Sequence, residues 1–363
     1  MNFLGAMIMI FKFVKKMSTS HSLKVSAIDR LTAKSVVVSL EVPKNLITPF
    51  VFAAGQYISL EATIDKVAVR RSYSICSSPQ SGNLQVGIKE VPGGVFSTYV
   101  NQSLSVGDEF KVGVPEGRFT LKESRQTKTV VGIAAGSGIT PIISIVKSVL
   151  LGNQDTSFVL LYGNKSPEKT MFYDELLLLE KKYANRFKIN WVFSQSNLEN
   201  SRFGRIDPSI INYLIRQIEA PSEASFYLCG PESMIKMSSD KLLEKGVSKE
   251  NLFFELFSSN TKKTEVTEAA KKGLFSLTCD EVTHSLELIP GKTLLDIALK
   301  AKIDVPYSCQ GGVCSSCIAR VTQGRAGMES NQVLTDEELE EGLVLSCQAI
   351  AQTEQISLNY DDV

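Results

Sequence analysis

The sequence predicts a multidomain protein with three folded units in series: an antiparallel β-barrel, an α/β unit on a parallel sheet, and a small α+β unit. Three observations predict it. Over residues 20–125, short Val/Ile-rich runs alternate with Gly, Pro and Asn turns. Over residues 126–258, apolar strand runs alternate with helical patterns. Over residues 309–347, four of the seven cysteines crowd between short strands. A length of 363 residues leaves room for two or three cores at ~100–200 residues each.

The barrel strands are expected at SVVVSLEV (35–42), YISLEA (57–62), VAVRRSYSI (67–75), LQVGIKEV (84–91) and EFKVGV (109–114). The parallel strands are expected at TVVGIAA (129–135), SFVLLYG (157–163), FKINWVF (187–193), SFYLCG (225–230) and NLFFELF (251–257). Helices fit 141–150, 171–184, 209–218 and 232–246. In the first of these Ile142, Ile145, Val146 and Val149 share one face. The polar stretch 259–272 (SNTKKTEVTEAAKK) reads as a linker. Beyond it, LFSLTC (274–279) and THSLELI (283–289) form a hairpin, and TLLDIALKAK (293–302) forms a helix. Strands follow near 318–323, 343–349 and 355–360. No internal repeat is visible.

Composition narrows the function. Lys plus Arg and Asp plus Glu are 39 each, the net charge is zero, and no long basic run offers a nucleic-acid surface. Apolar residues at 43% and charged residues at 21% fit a soluble globular protein. With only two histidines, His21 and His284, neither a His-rich zinc site nor a Ser-His-Asp triad has its parts. The odd, clustered cysteines point to a reducing compartment, hence a cytoplasmic location, and to a metal site over disulfides. Residues 1–19 read as an N-terminal extension. Its apolar run (1–14) is shorter than the ~20 residues of a span, and its lysines follow the run, unlike a signal peptide. A weak membrane-surface anchor is the alternative there, without stable insertion.

Cys309, Cys314, Cys317 and Cys347 are spaced C-x4-C-x2-C, then 29 residues, then C. That is the plant-type [2Fe–2S] spacing. A small cluster needs four thiolates near one point, and three come from one loop. Gly311 and Gly312 let backbone N–H groups turn toward it, with Ser308, Ser315 and Ser316 as further donors. A Rieske centre, which takes two histidines, is excluded. Cys76 and Cys279 read as small buried hydrophobes. The region 273–363 resembles a plant-type ferredoxin domain, which implies a β-grasp fold.

Arg71-Ser72-Tyr73-Ser74 resembles the R-x-Y-S motif of the ferredoxin–NADP reductase family. The resemblance implies that Arg71 meets a flavin pyrophosphate, that Tyr73 packs on the isoalloxazine ring, and that the Ser74 hydroxyl faces N5, with Ser72 between them. A guanidinium, an aromatic and a hydroxyl suit those tasks. Pro92-Gly93-Gly94-Val95-Phe96-Ser97 is a Gly-rich turn entering a short helix, which offers N–H donors to phosphate. In the family this segment holds the pyrophosphate, and its pattern here implies FAD over FMN.

Gly136-Ser137-Gly138-Ile139-Thr140-Pro141 follows a strand and opens a helix, with Thr140 as the expected N-cap and Pro141 in the first turn. It matches the family's G-x-G-x-T-P turn and implies a nicotinamide pyrophosphate site. Cys229-Gly230-Pro231 lies, by the same resemblance, beside the nicotinamide. Ser74, Cys229 and Glu255 are the candidate catalytic residues; Glu255 relays protons or orients Ser74, or simply ends a strand. The loop 194–205 carries Ser194, and Arg202 and Arg205 are the two candidates for the cation that would favour NADPH.

The resemblance implies an NAD(P)H-dependent oxidoreductase that passes electrons through FAD and a [2Fe–2S] centre. Its implied partner is the oxygenase component of a multicomponent system, a di-iron enzyme first, docked transiently through the ferredoxin surface near Cys309–Cys317. A different acceptor (a desaturase, a ring hydroxylase or a hybrid-cluster protein) and a redox-sensing module without hydride transfer remain open.

Overall fold

The computed structural model describes residues 20–122, 128–257, 272–307 and 309–363, with Val266, Ala269 and Ala270. The expected extension (1–19), Ser308 and most of the expected linker (259–272) lie outside the described residues.

The first unit contains β1 (Ser20–Thr32), β2 (Ser35–Glu41), β3 (Tyr57–Ile64), β4 (Val67–Ser74), β5 (Leu84–Lys89), helix α1 (Val95–Gln102) and β6 (Glu109–Gly113). The strand order is β4-β3-β6-β1-β2-β5, all antiparallel. A bridge between Ile75 and Val86 joins the two edges, so the sheet closes as a barrel. Alternate residues point inward: Val36, Val38, Ile58, Leu60, Val86, Ile88 and Val112 are fully buried. Each such side chain contributes roughly 1.5–3 kcal/mol by leaving water. Strand β1 was not among the expected strands. Its pairing with β2 is bulged between Val25 and Ala27 and between Arg30 and Thr32, so its period-2 pattern is broken.

The second unit runs β7 (Thr129–Ala135), α2 (Ile139–Leu151), β8 (Ser157–Asn164), α3 (Tyr173–Lys182), β9 (Phe187–Phe193), β10 (Ser201–Phe203), α4 (Pro208–Ile215), β11 (Ser225–Cys229), α5 (Glu232–Glu244) and β12 (Leu252–Glu255). The sheet is wholly parallel in the order β10-β9-β8-β7-β11-β12. The chain moves outward from β7 on one side, then returns to place β11 on the other. This reversal leaves a crevice at the carboxyl ends of β7 and β11, the usual ligand position in such sheets.

One expectation about α2 is corrected. Gly138, not Thr140, is its N-cap, and the Thr140 hydroxyl donates to the Ser137 carbonyl from inside the first turn. Pro141 is tolerated there because the first turn has no N–H acceptor to lose. Ile142, Ile145, Val146 and Val149 are buried as expected, and burial extends beyond their face. Residues 139–146 are all buried, because the helix is wedged between its sheet and the barrel. Across that boundary Ser144 Oγ donates to the Ser77 carbonyl (2.6 Å) and Lys147 Nζ to that of Cys76 (3.1 Å).

The third unit contains β13 (Leu274–Cys279), β14 (Val282–Glu287), α6 (Leu294–Lys300), β15 (Ile318–Gln323), β16 (Ala326–Met328), α7 (Asp336–Glu340), β17 (Leu343–Leu345), β18 (Ala349–Ala351) and β19 (Gln355–Asn359). Its main sheet is ordered β14-β13-β19-β15-β17, with β19 parallel to β13, and β16 pairs separately with β18. This mixed sheet, with α6 entering after the hairpin, is the expected β-grasp arrangement. The run 343–349 is not one strand. It breaks at Ser346–Gln348 into β17 and β18, which belong to different sheets and leave Cys347 on the turn.

Candidate redox site

The four spaced cysteines converge. Cys309 is in hydrogen-bonding contact with Cys314 and Cys347, and Cys317 with Cys347. Contacts from Cys314 and Cys347, then the N–H groups of Gly311 and Val313, hold the Cys309 thiol well below its ordinary range. Gly311 N–H lies 3.3 Å from Cys309 Sγ, and Gln348 Nε2 lies 3.6 Å from Cys347 Sγ. Gly312 has φ +73°, and a Cβ there would meet the Ser330 carbonyl at 2.9 Å. Four thiols from two segments, ringed by N–H donors, fit a [2Fe–2S] cluster. The expected serine donors do not all join them: the Ser316 hydroxyl faces Tyr57 and Glu116 of the barrel instead, each at 2.7 Å.

On the barrel, β4 presents Arg71 exposed, Tyr73 partly buried and Ser74 buried. Tyr73 rests on Phe96 of α1, with ring centroids 5.6 Å apart, so the strand and the Gly-rich turn share one wall. In that turn Gly93 takes φ +73°, and a Cβ on Gly94 would lie 2.5 Å from Ser97 Oγ. Ser97 closes the turn, accepting from Val91 N–H and donating to the Gly94 carbonyl, both at 3.2 Å. Val95 at the start of α1 is exposed. An open cradle at a helix start, with an exposed arginine on the neighbouring strand, fits a flavin pyrophosphate.

The crevice of the parallel sheet is equally tight. A Cβ on Gly138 would lie 2.1 Å from the Cys229 carbonyl, and one on Gly230 would lie 2.8 Å from the Met234 methyl. Cys229 is fully buried and paired in register with Ala134 on β7 and Glu255 on β12. Ser74 Oγ donates to Glu255 Oε2 at 3.3 Å, so the barrel and the sheet meet at these two residues. A cavity of about 840 Å³ opens between Gly136, Pro231, Ser194 and Arg205. Ser194 and Arg205 therefore converge. Arg202 does not join them; its guanidinium stacks on Tyr213, 3.4 Å from the ring centroid.

Residues 22–121 match the oxidoreductase FAD-binding domain family, 133–240 the oxidoreductase NAD-binding domain family, and 277–352 the 2Fe-2S iron-sulfur cluster binding domain family. The chain is similar to a 1,2-phenylacetyl-CoA epoxidase subunit of Escherichia coli (strain K12): 32% identical, over 95% of this chain and 99% of that one. The chain belongs to the ferredoxin reductase-type electron-transfer components of oxygenases. The ferredoxin reductase component of 3-ketosteroid-9-alpha-monooxygenase from Rhodococcus rhodochrous is also 32% identical, over 94% of this chain and 97% of that one. Among solved structures, phthalate dioxygenase reductase shares the fold, with TM-score 0.61 at 23% identity over 94% and 98% of the two chains.

The reductase thus has the three cofactor-binding units its motifs implied, for FAD, NAD(P)H and [2Fe–2S]. Among the described residues no helix is long and apolar enough to cross a membrane. Sequence reading missed several cations of the nucleotide cavity: Lys34 and Lys89 from the barrel, and Lys165 and Lys169 after β8. Burial, then the Lys165 charge, lowers the Lys89 pKa. Lys165 was within reach of sequence reading, because loops after parallel strands face the ligand. Lys89 was not, since only the packing of barrel on sheet carries it there.

Glu255 keeps part of its surface accessible, but its carboxyl end is enclosed. Burial pushes that carboxyl up from 4.5 to about 8, with the Ser74 hydrogen bond opposing the shift. The folded state therefore holds a proton that the unfolded state has lost, and stability falls as pH rises from about 5 to about 8. Glu255→Gln is expected to flatten this dependence, measured by urea unfolding at pH 5.5 and pH 8. An unchanged slope in the variant would mean that Glu255 is charged in the fold.

Proposed function

We propose that this reductase serves a di-iron oxygenase of the phenylacetyl-CoA epoxidase type, within phenylacetate catabolism. Near full-length similarity to the Escherichia coli epoxidase component is the observation that carries this reading. The equal identity to the ketosteroid monooxygenase reductase favours a second one, a ring-hydroxylating acceptor. Reconstitution with each purified oxygenase separates them. NAD(P)H-dependent product formation with the epoxidase and not the hydroxylase is expected; the reverse would replace the first reading with the second.

We assign the units to 20–125, 126–258 and 273–363, with 259–272 as tether. Arg71, Ser72, Tyr73 and the turn Gly93–Ser97 hold FAD, which when bound supplies the conversion of a two-electron donor into single electrons. Ser97 contributes by shaping the turn. Gly136, Gly138, Ile139, Thr140 and Pro141 bring the start of α2 to the dinucleotide pyrophosphate, and Gly230 and Pro231 let the nicotinamide approach the flavin. Cys229 closes the floor of that approach. Glu255 accepts the Ser74 Oγ–H and so orients that hydroxyl at the flavin edge. Cys309, Cys314, Cys317 and Cys347 hold the cluster. The cytoplasm is the expected location.

Ser194 and Arg205, with Lys165 and Lys169 on the same wall, favour NADPH over NADH. Arg205→Ala is expected to raise KM for NADPH roughly 10–100-fold, the worth of one charged hydrogen bond, and to leave KM for NADH nearly unchanged. Steady-state dye reduction with both donors checks this. Equal losses for the two donors would remove Arg205 from the specificity role.

A further inference from the structure

The four-cysteine loop does not face solvent alone. Val313 sits in the apolar cluster of the second unit with Met234 and Leu256, and Ser316 reaches the barrel. Tyr57 and Glu116 are backbone partners there, exchanging N–H···O bonds of 2.9 and 2.8 Å. Their side chains converge on Ser316, which lies between Cys314 and Cys317. Ser316 Oγ donates to Glu116 Oε2 at 2.7 Å, so the Tyr57 hydroxyl, also at 2.7 Å, is left to donate to Ser316. The chain of bonds runs one way, from phenol to hydroxyl to carboxylate. Tyr57 is 4% exposed, and its ring lies over Gly117, where φ is +112° and a Cβ would stand 2.9 Å from the ring. Two outer contacts flank this centre: Arg70 over the Tyr307 ring at 5.0 Å, and an ion pair of Arg118 with Glu338. Tyr57 pairs in register with Ser74, so the same β3–β4 ladder carries the dock and the flavin motif.

We propose that Tyr57, Glu116 and Ser316 are positioning residues that dock the cluster loop on the flavin barrel, fixing the distance over which electrons reach the cluster. This rests on the cofactor assignments made above. In the reaction NAD(P)H becomes NAD(P)⁺, one proton goes to solvent, and two electrons reach the cluster singly. The dock acts on that last transfer only. Its three hydrogen-bonding groups can take water as partner instead at modest cost, so the contact also opens. The loop face is covered while docked, so an oxygenase meets it only after release.

The test uses the full holoprotein and three variants: Ser316→Ala, Tyr57→Phe and Ser316→Thr, the last keeping the hydroxyl. Hydrogen exchange of the peptide 309–317 is expected to speed up at least about tenfold in the first two and to stay near wild type in the third. In anaerobic stopped flow, flavin bleaching by NADPH keeps its rate while cluster bleaching slows by a similar factor in the same two variants. Wild-type exchange and wild-type cluster bleaching in Tyr57→Phe would overturn the dock. If Ser316→Ala loses its cluster, Tyr57→Phe, which leaves the loop sequence intact, decides alone. A wild-type holoprotein without an iron–sulfur band would instead overturn the cofactor assignments, a separate failure.

Discussion

Cys347→Ala is expected to remove the visible iron–sulfur band and to cut reduction of one-electron protein acceptors by roughly 100-fold or more. NADPH-driven reduction of ferricyanide, a small acceptor served by the flavin, should persist near the wild-type rate. The reason is geometric. Cys347 comes from the turn between β17 and β18, whereas the other three thiols come from one loop, so among the four thiols it alone brings in the second segment. Removing it leaves three ligands where four are needed, far in sequence from the FAD and NAD(P)H motifs. Visible spectra and the two assays on one preparation check this. A full iron–sulfur band in the variant, or parallel loss of both activities, would contradict the assignment.

Gly138→Ala is expected to damage the nucleotide crevice severely. The new Cβ would lie 2.1 Å from the Cys229 carbonyl oxygen and 2.4 Å from its carbon, both backbone atoms on a buried strand. Neither rotates away, so β7 and β11 must separate at the mouth of the crevice. Overpacking of this kind costs about 1–3 kcal/mol of stability. The functional loss should be larger, because a displacement near 1 Å at a reacting centre costs about 100-fold in rate. Gly136→Ala, where the only close atom is the distant end of Lys89, serves as a partial control whose cost comes from its φ of +57°. Stopped-flow flavin reduction by NADPH, with a melting curve beside it, separates the two effects. A Gly138→Ala protein that is reduced at the wild-type rate would mean that hydride transfer does not use this crevice.

Much of this architecture was legible in the sequence because its signals are local. The strand–turn–helix at 129–150 and the cysteine spacing at 309–317 each carry their chemistry within a few residues. What was not legible depended on packing between units. Strand β1 hides because two bulges break its alternation. Thr140 reads as a cap because the short turn Gly136–Gly138, which starts the helix earlier, has no sequence mark of its own. Arg202 and Arg205 are equivalent in sequence, and only the Tyr213 ring decides which one reaches the cavity. Ser316 looks like a donor to the cluster until Tyr57 and Glu116, some 200 or more positions away, claim its hydroxyl. Lys89 belongs to the same class.

One chain holds the whole route from NAD(P)H through FAD to [2Fe–2S]. An anaerobic visible spectrum before and after NADPH tests it most directly. Both flavin and iron–sulfur bands are expected at the start, and both are expected to bleach after the donor is added, with a slower response to NADH. Flavin bleaching beside an iron–sulfur band that stays oxidised would contradict it, because the docked loop would then not be the electron acceptor within this chain.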